Sequence, residues 1–393
     1  MTFKTLVTLA TGAVMSAIGA VGFVLLVFPD HWRVAAMEQW LLRPWLGPSY
    51  LGDGQPVSDL LLCNPMGLAI HPSGDLLISD RGRDRRGRVV WRIGKDGVAR
   101  IFAGNGLLGK PAPGRAINVS FDRPESMAVT ADGSVLLSDG FSHAIFRIDA
   151  SGDLSIFAGT GTPGFSGDNG LATDAELFRP ADIKFDSLGN LYVADVRNHR
   201  IRKIDVDGVI TTVAGTGEPG FSPDGTAATQ AQLDSPWGVA VDKLDRLVIA
   251  DSNNHRIRRV EANGLLTTVA GTGEAGFDGD GGPAVLARLN VPEALFIDHR
   301  GVIYFGDENN NAVRLIALDG TIDTLLGTGS PGRAEPGKPA AGSPVDDPET
   351  VLIRNGEVII SDGNNGRVLR ITVDGVVGEV AGRGDITRCS SRW

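Results

Sequence analysis

Short apolar runs alternate with clusters of Gly, Asn and Asp along most of the chain. In one stretch, WGVAV (237–241) precedes the turn DKLD, RLVIAD (246–251) precedes SNNH, and RIRRVE (256–261) precedes ANG and LLTTVAG (265–271). Runs of this length, rich in Val, Ile, Leu and Thr and bounded by turn residues, are typical of β-strands. The stretch therefore predicts a unit of four antiparallel strands.

The unit recurs along the chain, and prolines mark its register. They stand 59 and then 56 residues apart, at Pro65, Pro124, Pro180, Pro236, Pro292 and Pro348. An aspartate closes the second strand in step with them, at Asp80, Asp139, Asp195, Asp251, Asp307 and Asp362. Four-stranded units at a fixed period predict the blades of a propeller, in which each blade buries both faces against its neighbours. The chain is thus predicted to be an all-β, six-bladed β-propeller, with blades starting near residues 65, 124, 180, 236, 292 and 348.

Two of these units resemble NHL repeats. The stretches are LYVADVRNHRIRKID (191–205) and LVIADSNNHRIRRVE (247–261), and the resemblance extends with divergence over about 320 residues. It implies a six-bladed NHL propeller over residues 63–384, distantly similar to gluconolactonases and strictosidine-synthase-like propellers. NHL propellers include RNA binders, protein-binding modules and enzymes, so the resemblance implies no single function.

The N-terminal segment has a different pattern from the repeats. Thr5–Phe28 contains no charged residue, and as a helix it is long enough to cross a bilayer core of about 30 Å. Trp32, Trp40 and Trp45 follow where interfacial aromatics are expected. Residues 1–29 are therefore predicted to be a transmembrane anchor, with cleavage as a signal peptide as the alternative. Residues 30–62 then form a juxtamembrane linker and 385–393 a C-terminal tail.

Either interpretation places the propeller across a membrane, on the periplasmic or extracellular side. If the segment is an anchor, its helix is the contact with the membrane; if it is cleaved, the protein is secreted. The net charge of −10 argues against nucleic-acid binding, which depends on neutralising phosphates. The two cysteines, Cys63 and Cys389, flank the blades and become neighbours in a closed ring. We predict a disulfide between them, which export permits; two unrelated thiols are the alternative.

Acidic residues are expected at the mouth of the propeller channel, because the first strand of each blade lines the axis. The residues after the register prolines include Glu125, Trp237, Glu293 and Glu349, and Asp182 lies one position further on. The three glutamates are candidate ligands of a divalent cation such as calcium, which could activate water. A channel-bound calcium does this work in gluconolactonases, although the Asn and His ligands of those propellers have no match here. In the alternative interpretation the acids pair with arginines and are structural.

Three other polar patterns have structural interpretations. The Asp, Asn, His and Arg of DVRNHRIRKID recur around the ring, so they are interpreted as turn chemistry rather than as a catalytic or zinc site. The Gly-rich connectors contain candidate calcium ligands that lack the spacing of an EF-hand and are interpreted as supports of surface loops: Asp168, Asn169, Asp224, Asp278 and Asp280. The cluster RGRDRRGR is a candidate contact for an anion, phosphate or lipid headgroup, or a solvated insertion; its arginines are Arg81, Arg83, Arg85, Arg86 and Arg88.

Two functions follow from this sequence. The first is an exported binding module that presents its loop face, formed by the turns after the second strands and the connectors after the fourth strands, to a protein, glycan or small molecule. The alternative is a calcium-dependent hydrolase, lactonase or lyase that uses the acidic channel mouth.

Overall fold

The fold is taken from a computed structural model that describes residues 53–83, 87–384 and 389. The apolar segment Thr5–Phe28 lies outside the described residues. Among the residues that are described, no helix is long and apolar enough to cross a membrane.

Each register proline is the first residue of the inner strand of a blade. The inner strands are Pro65–Ile70, Pro124–Val129, Pro180–Phe185, Pro236–Val241, Pro292–Ile297 and Pro348–Arg354. Proline has no N–H to donate, so it is tolerated at the start of a strand that forms the edge of its sheet. In blades 3 and 4 the proline is paired with the register aspartate, as Pro180 with Asp195 and Pro236 with Asp251. The register of every sheet shifts just after this pair, which locally re-aims the following side chains.

The remaining strands of each blade follow in chain order, so each sheet is an antiparallel meander. The second strands are Leu76–Asp80, Val135–Asp139, Leu191–Asp195, Leu247–Asp251, Ile303–Asp307 and Glu357–Asp362. The third strands are Arg88–Ile93, Ala144–Ile148, Arg200–Ile204, Arg256–Val260, Ala312–Ile316 and Arg367–Ile371. The fourth strands are Val98–Gly106, Asp153–Ala158, Ile210–Ala214, Leu266–Ala270, Thr321–Gly327 and Val377–Ala381. The predicted six-bladed propeller is confirmed.

Short elements complete three of the sheets and the connectors. Two-residue outer strands occur at Gln55–Pro56, Gly114–Arg115 and Gly282–Pro283. Single 3-10 turns occur at Val57–Asp59, Ala116–Asn118, Ala172–Asp174, Ala228–Gln230 and Ala284–Leu286, and after second strands at Val196–Asn198, Ser252–Asn254 and Glu308–Asn310. Gln55–Pro56 pairs with the outer strand of blade 1, and Leu60 and Leu62 are fully buried. The end of the segment assigned to a linker is therefore packed on the propeller.

Apolar side chains of adjacent blades form the core between them. One cluster joins Leu136 and Ile145 of blade 2 to Ile183 and Val193 of blade 3, and all four are almost completely buried. Burial on both faces explains why the strands are apolar almost throughout, rather than alternating with polar residues. The inner strand of blade 6 in turn contacts that of blade 1, so the ring is closed.

The two ends of the propeller are joined by a disulfide, a backbone hydrogen bond and an ion pair rather than by an exchanged strand. Cys63 and Cys389 form a disulfide with their Cα atoms 5.5 Å apart. Nearby, the Arg383 N–H donates to the Leu60 carbonyl at 3.0 Å. At the loop face, Arg81 of blade 1 forms an ion pair with Asp347, which precedes blade 6.

Replacing both cysteines, Cys63→Ser with Cys389→Ser, is expected to lower the free energy of unfolding by about 2–5 kcal/mol. The bond closes a loop of 326 residues, and its loss frees the unfolded chain. Urea denaturation followed by tryptophan fluorescence measures the change. Reduced wild-type protein is expected to unfold at the same midpoint as the variant; a variant as stable as oxidised wild type would contradict the structural role.

Candidate functional site

A histidine in the turn after the second strand links blades 2, 3 and 4 each to the blade that follows. His143, His199 and His255 have positive φ angles of 55°, 50° and 50°. Their Nδ1 atoms accept the backbone N–H of Arg179 and Ser235 at 3.3 and 3.1 Å, and that of Val291 at 3.2 Å. A backbone N–H can only donate, so each Nδ1 is unprotonated, and burial lowers the pKa of the three imidazoles. These histidines are neutral structural links.

The register aspartates hold the start of the inner strands. In blade 3 the Asp195 carboxylate accepts the backbone N–H of Phe178 at 2.7 Å and the side-chain amide of Asn198 at 2.8 Å. Burial raises the pKa of Asp195 to about 6, and the same holds for Asp80, Asp139, Asp251 and Asp307. The polar side chains at the start of the NHL-like turn of blade 3, Asp195 and Asn198, are thus engaged in hydrogen bonds within the propeller.

The connector aspartates are partners of buried arginines. Arg202 is fully buried and lies 2.8 Å from Asp168 and 3.5 Å from Asp195. Its guanidinium lies 4.8 Å from the centre of the Phe165 ring. Arg258 and Arg314 repeat this contact with Asp224 and Asp280. The sequence GFSGD therefore holds a buried arginine between the ring of its Phe and the carboxylate of its Asp.

The channel mouth is the place where the copies differ from one another. A cavity there is lined by residues that follow the register prolines, including Glu125, Asp182, Trp237 and Glu349. Its volume of about 20 Å³ is room for about one water molecule. Glu293 lies at the same position of blade 5 and is almost completely buried. The inner strands thus bring the predicted residues to one end of the ring.

Arg81, a predicted anion contact, enters the same mouth together with two arginines that sequence reasoning did not select, Arg123 and Arg179. The Arg123 Nε lies 2.5 Å from Glu125 Oε1, and Arg81 Nη1 lies 3.4 Å from Glu349 Oε1. The guanidinium carbon of Arg179 lies 4.3 Å from the centre of the Trp237 ring. The signal was present in the sequence, because Arg123 and Arg179 directly precede register prolines.

Burial shifts the acids of the mouth toward their neutral forms. It raises the pKa of Glu349 to about 8, against the pull of Arg81. It also raises the pKa of Glu293, and the neighbouring Glu308 and Glu349 carboxyls add to the effect. Removal from water raises the pKa of Glu125 although Arg123 and Arg179 oppose it. The mouth therefore holds more carboxyl groups than its arginines neutralise.

Asp182 connects three inner strands. Its Oδ1 accepts the hydroxyl of Ser126 in blade 2 at 2.7 Å, and its Oδ2 accepts the N–H of Val239 in blade 4 at 3.1 Å. Lys184 also contacts the carboxylate. Asp182 lines the cavity, but both of its carboxylate oxygens already accept hydrogen bonds from neighbouring strands.

Blades 3 and 4 match a known family of repeats. The NHL repeat model matches residues 179–204 and 233–260, which contain the first three strands of blades 3 and 4 and the turns between them. The chain carries NHL repeats.

Two curated proteins resemble part of this NHL propeller. Protein SUPPRESSOR OF QUENCHING 1, chloroplastic, of Arabidopsis thaliana is 31% identical over 229 residues, which is 55% of this chain and 21% of the relative. Teneurin-m of Drosophila melanogaster is 30% identical over 307 residues, which is 71% of this chain and 10% of the relative. The chain thus spans 21% and 10% of the length of these larger proteins, and the likeness concerns one region of each.

Solved structures share the architecture at low sequence identity. An auxiliary nutrient binding protein from Bacteroides thetaiotaomicron aligns with a TM-score of 0.58 and 13% identity, over 84% of this chain and 72% of the other. A gluconolactonase from Xanthomonas campestris aligns with a TM-score of 0.51 and 16% identity, over 80% and 88%. These similarities establish the fold of the NHL propeller and not its activity.

The described arginines of the blade 1 cluster contact other residues of the propeller. Arg81 reaches the acids of blade 6, and Arg83 donates to the Asn364 side chain of the same blade. The Arg88 Nε donates to the Asp122 carbonyl at 2.9 Å. Arg85 and Arg86 lie outside the described residues. Over the part of the chain that the structure describes, no group of three His, Cys, Asp or Glu side chains is close enough to hold a metal ion.

Glu349→Gln is expected to stabilise the NHL propeller relative to wild type as the pH rises. The folded pKa of Glu349, about 8, exceeds the ordinary value of 4.5. Wild type therefore retains a proton that the unfolded chain releases, and it loses stability between those pH values. Glutamine stays neutral throughout. The gain should be small near about pH 5 and on the order of 1–3 kcal/mol near about pH 8.5.

Thermal and urea unfolding in EDTA-containing buffers measure this gain for the metal-free protein. Glu274→Gln is the matched control, since it changes an exposed glutamate of a connector. A difference between Glu349→Gln and wild type that does not change with pH would contradict a raised pKa at this position.

Proposed function

We propose that this chain is an exported binding module that takes a small charged ligand at the channel mouth of its NHL propeller. The observation that carries the proposal is Arg179. Its guanidinium lies 4.3 Å from the Trp237 ring centre and 5.6 Å from that of Phe141, and within the described residues it has no ion pair. A guanidinium held by two rings keeps its donors for an anion.

The surroundings of Arg179 suit a ligand with a flat or apolar part. Phe141 exposes 46% of its surface, and Trp237 is partly exposed beside the cavity. A few placed charges beside aromatic side chains are typical of small-molecule sites. The turns and connectors around the opening belong to the loop face, where proteins commonly place binding residues.

An exported location is part of the proposal. The Cys63–Cys389 disulfide supports it, because such bonds persist in oxidising compartments. We propose that Thr5–Phe28 anchors the propeller to the membrane, or is removed on secretion.

A metal-dependent hydrolase or lyase is the second candidate. It is favoured by Glu125, whose Oε2 is buried and accepts no hydrogen bond from the described residues, so a calcium ion would give it a partner. Arg81, Arg123 and Arg179 disfavour this candidate, since three guanidiniums in one mouth repel a divalent cation.

A panel of carboxylates, sugar acids, phosphate esters and amino acids, screened by thermal shift, tests the binding module. Compounds that stabilise wild type are expected to lose their effect in Arg179→Gln, because the free cation is gone, and to bind at least about tenfold more weakly to Phe141→Ala. Arg147→Gln is the matched control. It removes an arginine that pairs with Asp132 in a turn at the other end of blade 2.

Metal content and turnover separate the two candidates. The binding module predicts wild-type protein without stoichiometric calcium and without hydrolysis of a lactone and ester panel. Calcium-dependent hydrolysis that Glu125→Gln abolishes would establish the enzyme instead. Stabilising compounds that act equally on Arg179→Gln would place the binding site elsewhere.

A further inference from the structure

A cavity larger than that of the channel mouth lies between blades 4 and 5, at the end of the blades away from the loop face. Its volume is about 250 Å³. The turns after the inner strands of both blades line it, together with the turn after the third strand of blade 5. No described residue lines both cavities, so a ligand here is independent of the one proposed for the mouth.

The space is present because blade 4 has a small residue where its neighbours have a ring. The second residue of the second strand is a tyrosine in blades 3 and 5. Tyr192 packs against the apolar core that blade 3 shares with blade 4, and Tyr304 belongs to the core between blades 5 and 6. Blade 4 has Val248 at this position, and its cross-strand partner is Ala240, where blade 5 has Phe296. The gap between blades 4 and 5 thus lacks the ring that fills the gaps on either side.

The lining of the cavity is largely apolar and suits a ring. Val269, Ile297 and Ile303 line it beside Val248. Leu244 and Leu318 also line it, although 64% and 70% of their surfaces are exposed. Covering such side chains favours binding of an apolar group. An apolar cavity of about 150 Å³ holds a benzene ring, so this one has room for a ring and a short side arm.

Basic side chains surround the apolar part of the cavity. Four of them line it together with the acidic Asp242, and they are Lys243, Arg246, Arg259 and Arg300. The three arginines have carboxylate partners: Asp242 and Glu261 for Arg246, Glu261 for Arg259, and Asp298 for Arg300. The adjoining Asp319 accepts the N–H and the hydroxyl of Thr321 in its own turn. Lys243 is exposed and forms no ion pair with the described residues. One ammonium group is therefore left for an anion.

We infer that this cavity binds a small aryl carboxylate, with its ring beside Val248 and its carboxylate at Lys243. The ring takes the place that a tyrosine side chain fills in the neighbouring gaps. The carboxylate lies at the exposed edge, where it meets the ammonium group and stays in contact with water. An inorganic anion would leave the apolar walls uncovered, and a neutral ring would leave the ammonium group without a counter-ion.

A set of matched compounds tests the inference on the full chain. Phenylacetate and 3-phenylpropanoate carry a ring and a charge, phenylacetamide carries the ring alone, and hexanoate and acetate carry the charge alone. Titrations up to about 10 mM, followed by the NMR signals of the compounds, cover the affinity expected for ligands of this size. At least one aryl carboxylate is expected to bind about threefold or more tightly than phenylacetamide and hexanoate, and about tenfold more tightly than acetate.

Two variants assign the ends of the ligand. Val248→Tyr should weaken every ring-bearing compound at least about tenfold, because it fills the cavity with the side chain found at this position in blades 3 and 5. Val373→Tyr is its matched control, since it adds the same ring at an exposed turn of blade 6. Lys243→Gln should weaken the aryl carboxylates about two- to fivefold and leave phenylacetamide unchanged. Lys338→Gln, at an exposed position of a connector, should change none of them.

Circular dichroism and the thermal midpoint check that the variants are folded. If Val248→Tyr is unfolded, Leu318→Ser replaces it, because that side chain is mostly exposed and its loss removes part of the apolar lining. Leu318→Ser should likewise weaken every ring-bearing compound and leave acetate unchanged.

The outcomes separate this inference from the proposed function. Absence of binding by both aryl carboxylates, or equal binding to wild type and to Val248→Tyr, overturns the site. Hexanoate or phenylacetamide that binds as tightly as the aryl carboxylates overturns the class of ligand. A carboxylate whose binding is lost in Arg179→Gln but not in Val248→Tyr belongs to the channel mouth; this result would support the proposed function and overturn the inference.

Discussion

The buried aspartate at the end of each second strand is the interaction on which the ring depends. A carboxylate removed from water is tolerated only when its oxygens are partnered. In blade 3, the partners of Asp195 are a backbone N–H before the inner strand, the Asn198 amide and the buried Arg202. Arg202 in turn fixes the connector through Asp168. One buried carboxylate thus joins the inner strand, the turn and the connector into a unit that can be repeated.

The same contacts leave the channel mouth free to vary. Before blades 3 to 6, the residue that precedes the register proline is held by its backbone N–H, which donates to the histidine of the preceding blade or, at Asp347, to the Asn311 side chain. Because only the backbone is used, its side chain is open to choice. Arg179, Ser235, Val291 and Asp347 all take positive φ there, although for a β-branched valine this conformation is unfavourable. Ligand chemistry can therefore change without altering the blades.

Closure of the ring brings an arginine of blade 1 to the acids of the channel mouth. Blade 1 lacks the NHR turn, and in its place Arg81 extends across the seam to Asp347 and Glu349. This arginine neutralises part of the acidic side, and Glu293 and Glu308 are left without a basic partner among the described residues. The seam is also where Cys63 and Cys389 are bonded. The contacts that close the ring and the arginine that neutralises part of the acidic side thus both lie at blade 1.

The sequence by itself determined the six blades, their strands and the structural role of the DVRNHRIRKID turn. It could do so because local strand and turn chemistry repeats at a fixed period, and each copy confirms the others. It also placed Glu125, Trp237, Glu293 and Glu349 at one opening, since they share a register position. Only the tertiary structure decided that Arg81, Arg123 and Arg179 share that opening, and which acids they neutralise. Those pairings join side chains from different blades, and a repeat period fixes positions along the chain but not distances across the ring.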